Sequence, residues 1–327
     1  MRSLLGASDT AIALAMVCAA CTTPAAPRPP LERGKPTPTV LVVGLDQLAL
    51  RTTAWVELHA WLAAAARSSA ELPDPELDGA ARAYREALAD DDRDDTLTRT
   101  ARALETCEDE RCARAAVTGT RFAQAYLSAL PAFLARHWTE RATVTRAGIE
   151  VARAALGAEV EPILKRLAQD LAIDWPSAPV AVDIVGDAPA PARDAPIRML
   201  LATQGSCFAG ASQEATSVRD ARITDCVIAY ALLRLDHRSA LATALTAELR
   251  ATGGGEDAAR AWTALVVHAV ATTVTGIEPK HTSAMRRSAA AAMPREMAWL
   301  AAEWPSRMHG EPAAAFAKRY ASALRER

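Results

Sequence analysis

The chain has 327 residues, half of them apolar, and a formal net charge of −2. A fold of this size buries about 75% of its unfolded surface, so one large domain or two small ones can form without a metal or disulfide staples. No basic excess exists to neutralise phosphates, which argues against a dedicated nucleic-acid binder, and the apolar content is not that of a disordered chain. Seventy-seven residues are Ala and only 5% are aromatic. A core of Ala, Leu and Val favours close-packed helices.

In chain order, Arg2 supplies a positive start, and Ala11 to Val17 is an apolar run that ends in Cys18-Ala19-Ala20-Cys21. This is the grammar of an export signal. The run is shorter than the roughly 20 residues that span a bilayer. The small residues ahead of Cys21 resemble the lipobox of bacterial lipoproteins, although Cys18 stands where Leu or Val is usual and Asp9 lies close to the apolar run. The resemblance implies that Cys21 carries a lipid and becomes the first mature residue of a membrane-anchored protein. Thr22 in place of Asp implies the outer membrane, with the exposed face left open. An ordinary cleaved signal and a CxxC metal or redox site are the alternatives. Residues 22–39 are Pro-rich and read as an extended tether.

Past the signal, four cysteines remain: Cys107, Cys112, Cys207 and Cys226. Thiols outside the cytoplasm tend to pair. Proximity suggests Cys107–Cys112 and Cys207–Cys226 among the three possible pairings. A zinc site of four thiolates lacks the short paired spacing such sites use.

The expected fold class is mainly α (α+β). It comprises an N-terminal helical part over 40–175 and a C-terminal part over 176–327, which can form one domain. Leu41 to Leu50 is an apolar start that suits a strand or a first helical turn. Ala54 to Ala66 is helical, with Trp55, Leu58 and Leu62 on one face, and Leu72-Pro73-Asp74-Pro75 stops it. Helices follow at 78–89, 96–106, 110–136, 138–157 and 159–172. The acidic run Asp90 to Asp95 reads as a solvated loop and helix cap, since the spaced ligands and turn Gly of a calcium loop are missing. After Trp175-Pro176, Val180 to Val185 alternates like a strand, and Ile197 to Ala202 is a second strand candidate. Gly205 to Arg219 looks irregular. The segments 223–235 and 258–274 are helices apolar nearly all round, as buried central helices are. Surface helices at 299–307 and 312–325 close the chain.

This order resembles the catalytic domain of gluzincin-type zinc metallopeptidases, and more narrowly a group of secreted zincin-like bacterial proteins. Carrying the resemblance are Glu57-Leu58-His59-Ala60-Trp61-Leu62, His137-Trp138, Trp175-Pro176 leading into Pro179 to Val185, and Ala261 to His268. It implies a zinc site from H-E-x-x-H on the first central helix and a Glu on the second. Placed by their surroundings, these would fall near Ala229 to Leu233 and near Thr272. No His or Glu stands there, and the motif occurs nowhere in the chain. The resemblance therefore implies a scaffold without metal or cofactor, in a binding or structural role, with an envelope peptide or protein as partner.

Two other readings stay open. A hydrolase with an unusual site around His268 requires three or more of Asp225, Asp236, His237, His268 and Glu278 to converge. A plain helical lipoprotein predicts no two-strand unit at 180–202 packed beside the central helices. The bland account of His268 is a core histidine bonded to one neighbour such as Tyr230, and that of His237 is a cation at a helix C-terminus. Ser206 lacks the setting of a nucleophile elbow. Gly253 to Gly255 lacks the Lys-Ser/Thr of a phosphate loop.

Overall fold

The computed structural model describes residues 37–68, 71–72, 74–89, 95–157, 160–186, 201–202, 216–274 and 284–325. β1 (Val40–Gly44) and β2 (Leu48–Thr53) form an antiparallel hairpin, closed where the Leu45 N–H donates to Leu48 O at 2.7 Å. The apolar start is thus strand rather than helical turn. Its Val-rich sequence and the alternating burial of β2 suit a pleated, half-covered surface. Helices then run as α1 (Ala54–Ser68), α2 (Pro75–Ala89), α3 (Asp95–Glu105), α4 (Glu110–Val117), α5 (Ala123–Arg136), α6 (Trp138–Leu156) and α7 (Val160–Asp170). β3 (Val180–Val185) and β4 (Leu201–Ala202) follow. After them come α8 (Thr216–Leu233), α9 (Ala240–Arg250), α10 (Ala258–Val274), α11 (Ala284–Ala292), α12 (Pro294–Met308) and α13 (Ala313–Arg325). The class is mainly α (α+β).

β3 and β4 are part of a larger sheet than the two-strand unit expected from sequence. The order is β1-β2-β3-β4, with β2–β3 and β3–β4 parallel and Arg51 opposite Asp183. Of the second strand candidate, only residues 201–202 are described.

The sheet has an apolar core on each face. Leu48, Leu50, Val180, Val182 and Ile184 point into the larger one, built with α6 to α13. Val185 points the opposite way, as alternation along a strand requires, into a second core built from α1 to α5 and the start of α6. Residues on both sides of position 175 thus share the larger core, and Thr37 to Arg327 forms one compact unit.

Three sequence expectations are corrected. The helix expected over 110–136 breaks into α4 and α5, because Gly119 adopts φ +86° in the turn between them, a conformation open to glycine at little cost. α8 begins at Thr216, inside the stretch expected to be irregular. α9 and α11 were not anticipated. Ser239 caps α9, its hydroxyl accepting from the Ala242 N–H at 3.0 Å and donating to Leu171 O at 2.7 Å.

Cys107 and Cys112 form a disulfide across the turn from α3 to α4. Cys226 on α8 is also disulfide-bonded, to a partner outside the described residues. Cys21, Cys207, Glu278, the export signal, most of the tether and most of the acidic run lie outside the described residues.

Candidate functional site

The polar residues singled out in the C-terminal part do not gather. Asp236 and His237 sit in an exposed 3-10 turn, where their side chains face each other at 3.5 Å. His268 is buried on α10, edge-on to Trp304 at 6.1 Å between ring centroids. The hydrogen bond expected between His268 and Tyr230 is not made. His268 Nδ1 lacks a partner among the described residues, because Tyr230 lies beside Glu105 and Arg234 instead, with the Arg234 guanidinium 5.8 Å from its ring. Burial, helped by the nearby Arg286 charge, lowers the His268 pKa to about 4. Its imidazole is therefore neutral at pH 7. Asp225 is buried on α8. No cluster of three or more His, Cys, Asp or Glu able to hold a metal ion occurs among the described residues.

A dense cluster of charge lies against the sheet. Asp183 of β3 is fully buried and accepts from Arg51 Nε at 2.8 Å, Arg51 Nη2 at 3.2 Å and Arg234 Nη1 at 3.2 Å. The same Arg234 nitrogen donates to Ala181 O at 3.0 Å and stands 3.5 Å from the Glu105 carboxylate. This cluster ties β2, β3, the end of α3 and the residue just past α8 into one knot. Burial raises the Asp183 carboxyl above its ordinary range, while Arg51 and Arg234 pull it back. Burial also pushes the Tyr230 phenol well up, and the neighbouring Glu105 and Asp183 carboxylates add to the push.

A second buried pair closes the far end of β3. Glu57 on α1 is fully buried. Its Oε1 accepts from Arg141 Nε at 2.6 Å and its Oε2 from the Gly186 N–H at 2.7 Å. The Arg141 guanidinium lies 4.9 Å from the centre of the Trp61 ring, which also meets the rings of His137 at 5.4 Å and Phe133 at 6.0 Å. His137 Nε2 meets Asp74 Oδ2 at 3.1 Å, and this bond leads the effects that hold Asp74 below its usual range. Asp74 also caps α2, accepting from the Glu76 N–H at 3.0 Å. On α1, His59 Nδ1 meets the Tyr84 hydroxyl at 3.0 Å and Nε2 meets Leu97 O at 3.1 Å. Its burial lowers the pKa to about 4, against the pull of the Leu97 carbonyl.

Each of these groups bonds to another segment of the same chain, so their chemistry is cross-linking of the fold. Positions 229–232, where the zincin resemblance would put metal ligands, are packed inside the larger core. The Thr272 hydroxyl turns back onto the His268 and Ala269 carbonyls of its own helix at 2.9 and 3.0 Å.

Sequence reasoning missed both ionic clusters. Two signals pointed to them: Asp183 inside the apolar strand VAVDIV, and Glu57 inside the apolar helix stretch AWVELHAW. A lone carboxylate in a buried run requires a cation from elsewhere. Comparison with protein-family models, curated proteins and solved structures finds no match to this chain.

Proposed function

We propose that the chain is a bacterial envelope lipoprotein, anchored to the outer membrane by a lipid on Cys21. Its folded part binds a partner or does structural work, on a zincin-like scaffold that has lost its metal site. The observation that carries the reading is the state of α8 and α10. Where the resemblance would place the motif, Ala229 to Leu232 pack into the core and Leu233 packs against it, and where it would place the second Glu, Thr272 bonds its own helix. Support for the scaffold comes from β3 and β4, which pair beside each other and lie against α8, and from the packing of α8 on α10. The alternative of a plain helical protein expects no such unit. Among the described residues no helix is long and apolar enough to cross a membrane. The reading therefore rests the membrane link on Cys21.

Two measurements test it. Elemental analysis of the purified chain, with melting curves in the presence and absence of chelator, should show no stoichiometric metal and no chelator shift. One tightly held zinc per chain, with a melting temperature that falls on chelation, would overturn the metal-free scaffold. Labelled palmitate should enter the wild type and not Cys21→Ser. Equal labelling, or none in either, would overturn the anchor.

A further inference from the structure

The knot around Asp183 is unevenly shared. Asp183 takes both cations at hydrogen-bonding distance, from Arg51 at 2.8 and 3.2 Å and from Arg234 at 3.2 Å. Glu105, the last residue of α3, is only 5% exposed. Its nearest cation is the same Arg234 nitrogen, at 3.5 Å, whose hydrogens already go to Asp183 and to Ala181 O. Glu105 is therefore a buried carboxylate that shares its cation with Asp183 and has the Tyr230 hydroxyl as its polar neighbour. Such a group is more stable neutral.

Among the described residues the groups that act on it are Arg234, Asp183, Tyr230 and Arg102. On its own helix Glu105 has Arg102. From the sheet it sees Asp183, and from the α8 side Tyr230 and Arg234. α4 and α1 pack on α3 as well. The α4 charges Glu110 and Arg114 pair with each other at 2.7 Å. On α1, His59 bonds Tyr84 and the Leu97 carbonyl, and Glu57 bonds Arg141. Two residues beyond Glu105, the Cys107–Cys112 disulfide ties the end of α3 to α4, so the two helices move as a unit.

We propose that Glu105 is a proton-operated latch: with its carboxyl protonated the end of α3, and α4 with it, stays seated against α8 and the sheet, and loss of that proton unseats them. The proposal does not depend on the lipid anchor or on the zincin-like scaffold. Burial, with Arg234 pulling against it and Asp183 pushing with it, raises the Glu105 pKa from 4.5 to about 7. The seated form thus holds the proton more tightly than the unseated one. Seating is strongest below the ordinary carboxylate range and is lost as pH rises through the raised value. Between about pH 5.5 and about pH 8, these two pKa values weaken seating roughly 30-fold.

Hydrogen exchange on the whole chain tests this. Wild type and Glu105→Gln are compared at the same pH, which cancels the intrinsic pH dependence of exchange. In peptides covering residues 95–117, the ratio of wild-type to variant exchange rates should rise roughly 30-fold from about pH 5.5 to about pH 8, while α13 stays level. A ratio that does not change with pH overturns the latch. An equal rise in α13 also overturns it, since that is global unfolding. Should Glu105→Gln fail to fold, carbon-13 titration of the wild-type Glu105 carboxyl decides. A midpoint near neutrality supports the latch, and one in the ordinary carboxylate range overturns it.

Discussion

Replacing Gly186 with Ala tests how tightly the Glu57–Arg141 pair closes the end of β3. An ideal Cβ at Gly186 would lie 2.6 Å from Arg141 Nη2, 2.8 Å from Glu57 Oε1 and 3.0 Å from Arg141 Cζ. All three are well inside van der Waals contact. They belong to a pair whose carboxylate is fully buried and whose guanidinium side chain is 16% exposed. Overpacking of a tight site costs about 1–3 kcal/mol, and outright loss of a buried pair costs about 3–5 kcal/mol. The Cβ forces the pair aside while the Gly186 N–H can still reach Glu57, so Gly186→Ala should destabilise the fold by about 2–3 kcal/mol. The cost should vanish in a Glu57→Ala/Arg141→Ala background, because the atoms the Cβ meets are gone. There the stiffer unfolded chain should make Gly186→Ala neutral or stabilising by about 0.5 kcal/mol. Urea denaturation of the four proteins measures both values. An equal cost in the two backgrounds would refute the reasoning.

The two buried histidines should make the fold acid-sensitive. His59 and His268 both have pKa values lowered from 6.5 to about 4. Their stabilisation is present above the ordinary histidine value and is lost as pH falls toward the lowered one. The loss is on the order of 3 kcal/mol for each. Urea midpoints from neutral pH downward check this, and His59→Gln or His268→Gln should flatten the slope. Removing the short disulfide with Cys107→Ala/Cys112→Ala should cost about 2 kcal/mol from the loop entropy of its small ring, read in the same denaturation assay; no change would show that the α3–α4 turn holds itself. Ala172, just past α7, sits at φ +50° while the Ile173 N–H donates back to Ala168 O at 2.8 Å, the geometry of a glycine helix stop. Ala172→Gly should raise stability by about 0.5–1 kcal/mol, and a loss would contradict that reading.

Local regularity explains what could be read early. α1, α6, α7 and α13 announce themselves because apolar residues recurring near every 3.6 positions have one sensible conformation, and α10 by an apolar run too long for a strand. The β3 strand shows in its alternation. β1 stayed ambiguous, since a short apolar run suits strand and helix alike. α9 lies in an Ala- and Thr-rich stretch, although Leu241, Leu245 and Leu249 recur four apart on its buried face. It declares itself through Ser239, a cap that is obvious only once Leu171 O is seen to receive its hydroxyl.

The sequence by itself determined the class of the fold, the helical texture that so much Ala imposes, and the absence of the H-E-x-x-H motif. It also carried the two lone carboxylates, Glu57 and Asp183, that had to find cations. Tertiary structure alone decided which cations. Asp183 meets an arginine 132 residues earlier in the chain and another 51 residues later, and Glu57 meets one 84 residues on and a backbone N–H 129 residues on. The same is true of the small residue at 186, where only the folded chain brings an ion pair within bonding distance of the backbone. Periodicity is a property of neighbours along the chain and can be read there. Charge pairing and close approach depend on distances through space, which come into being when the two cores close on either face of the sheet.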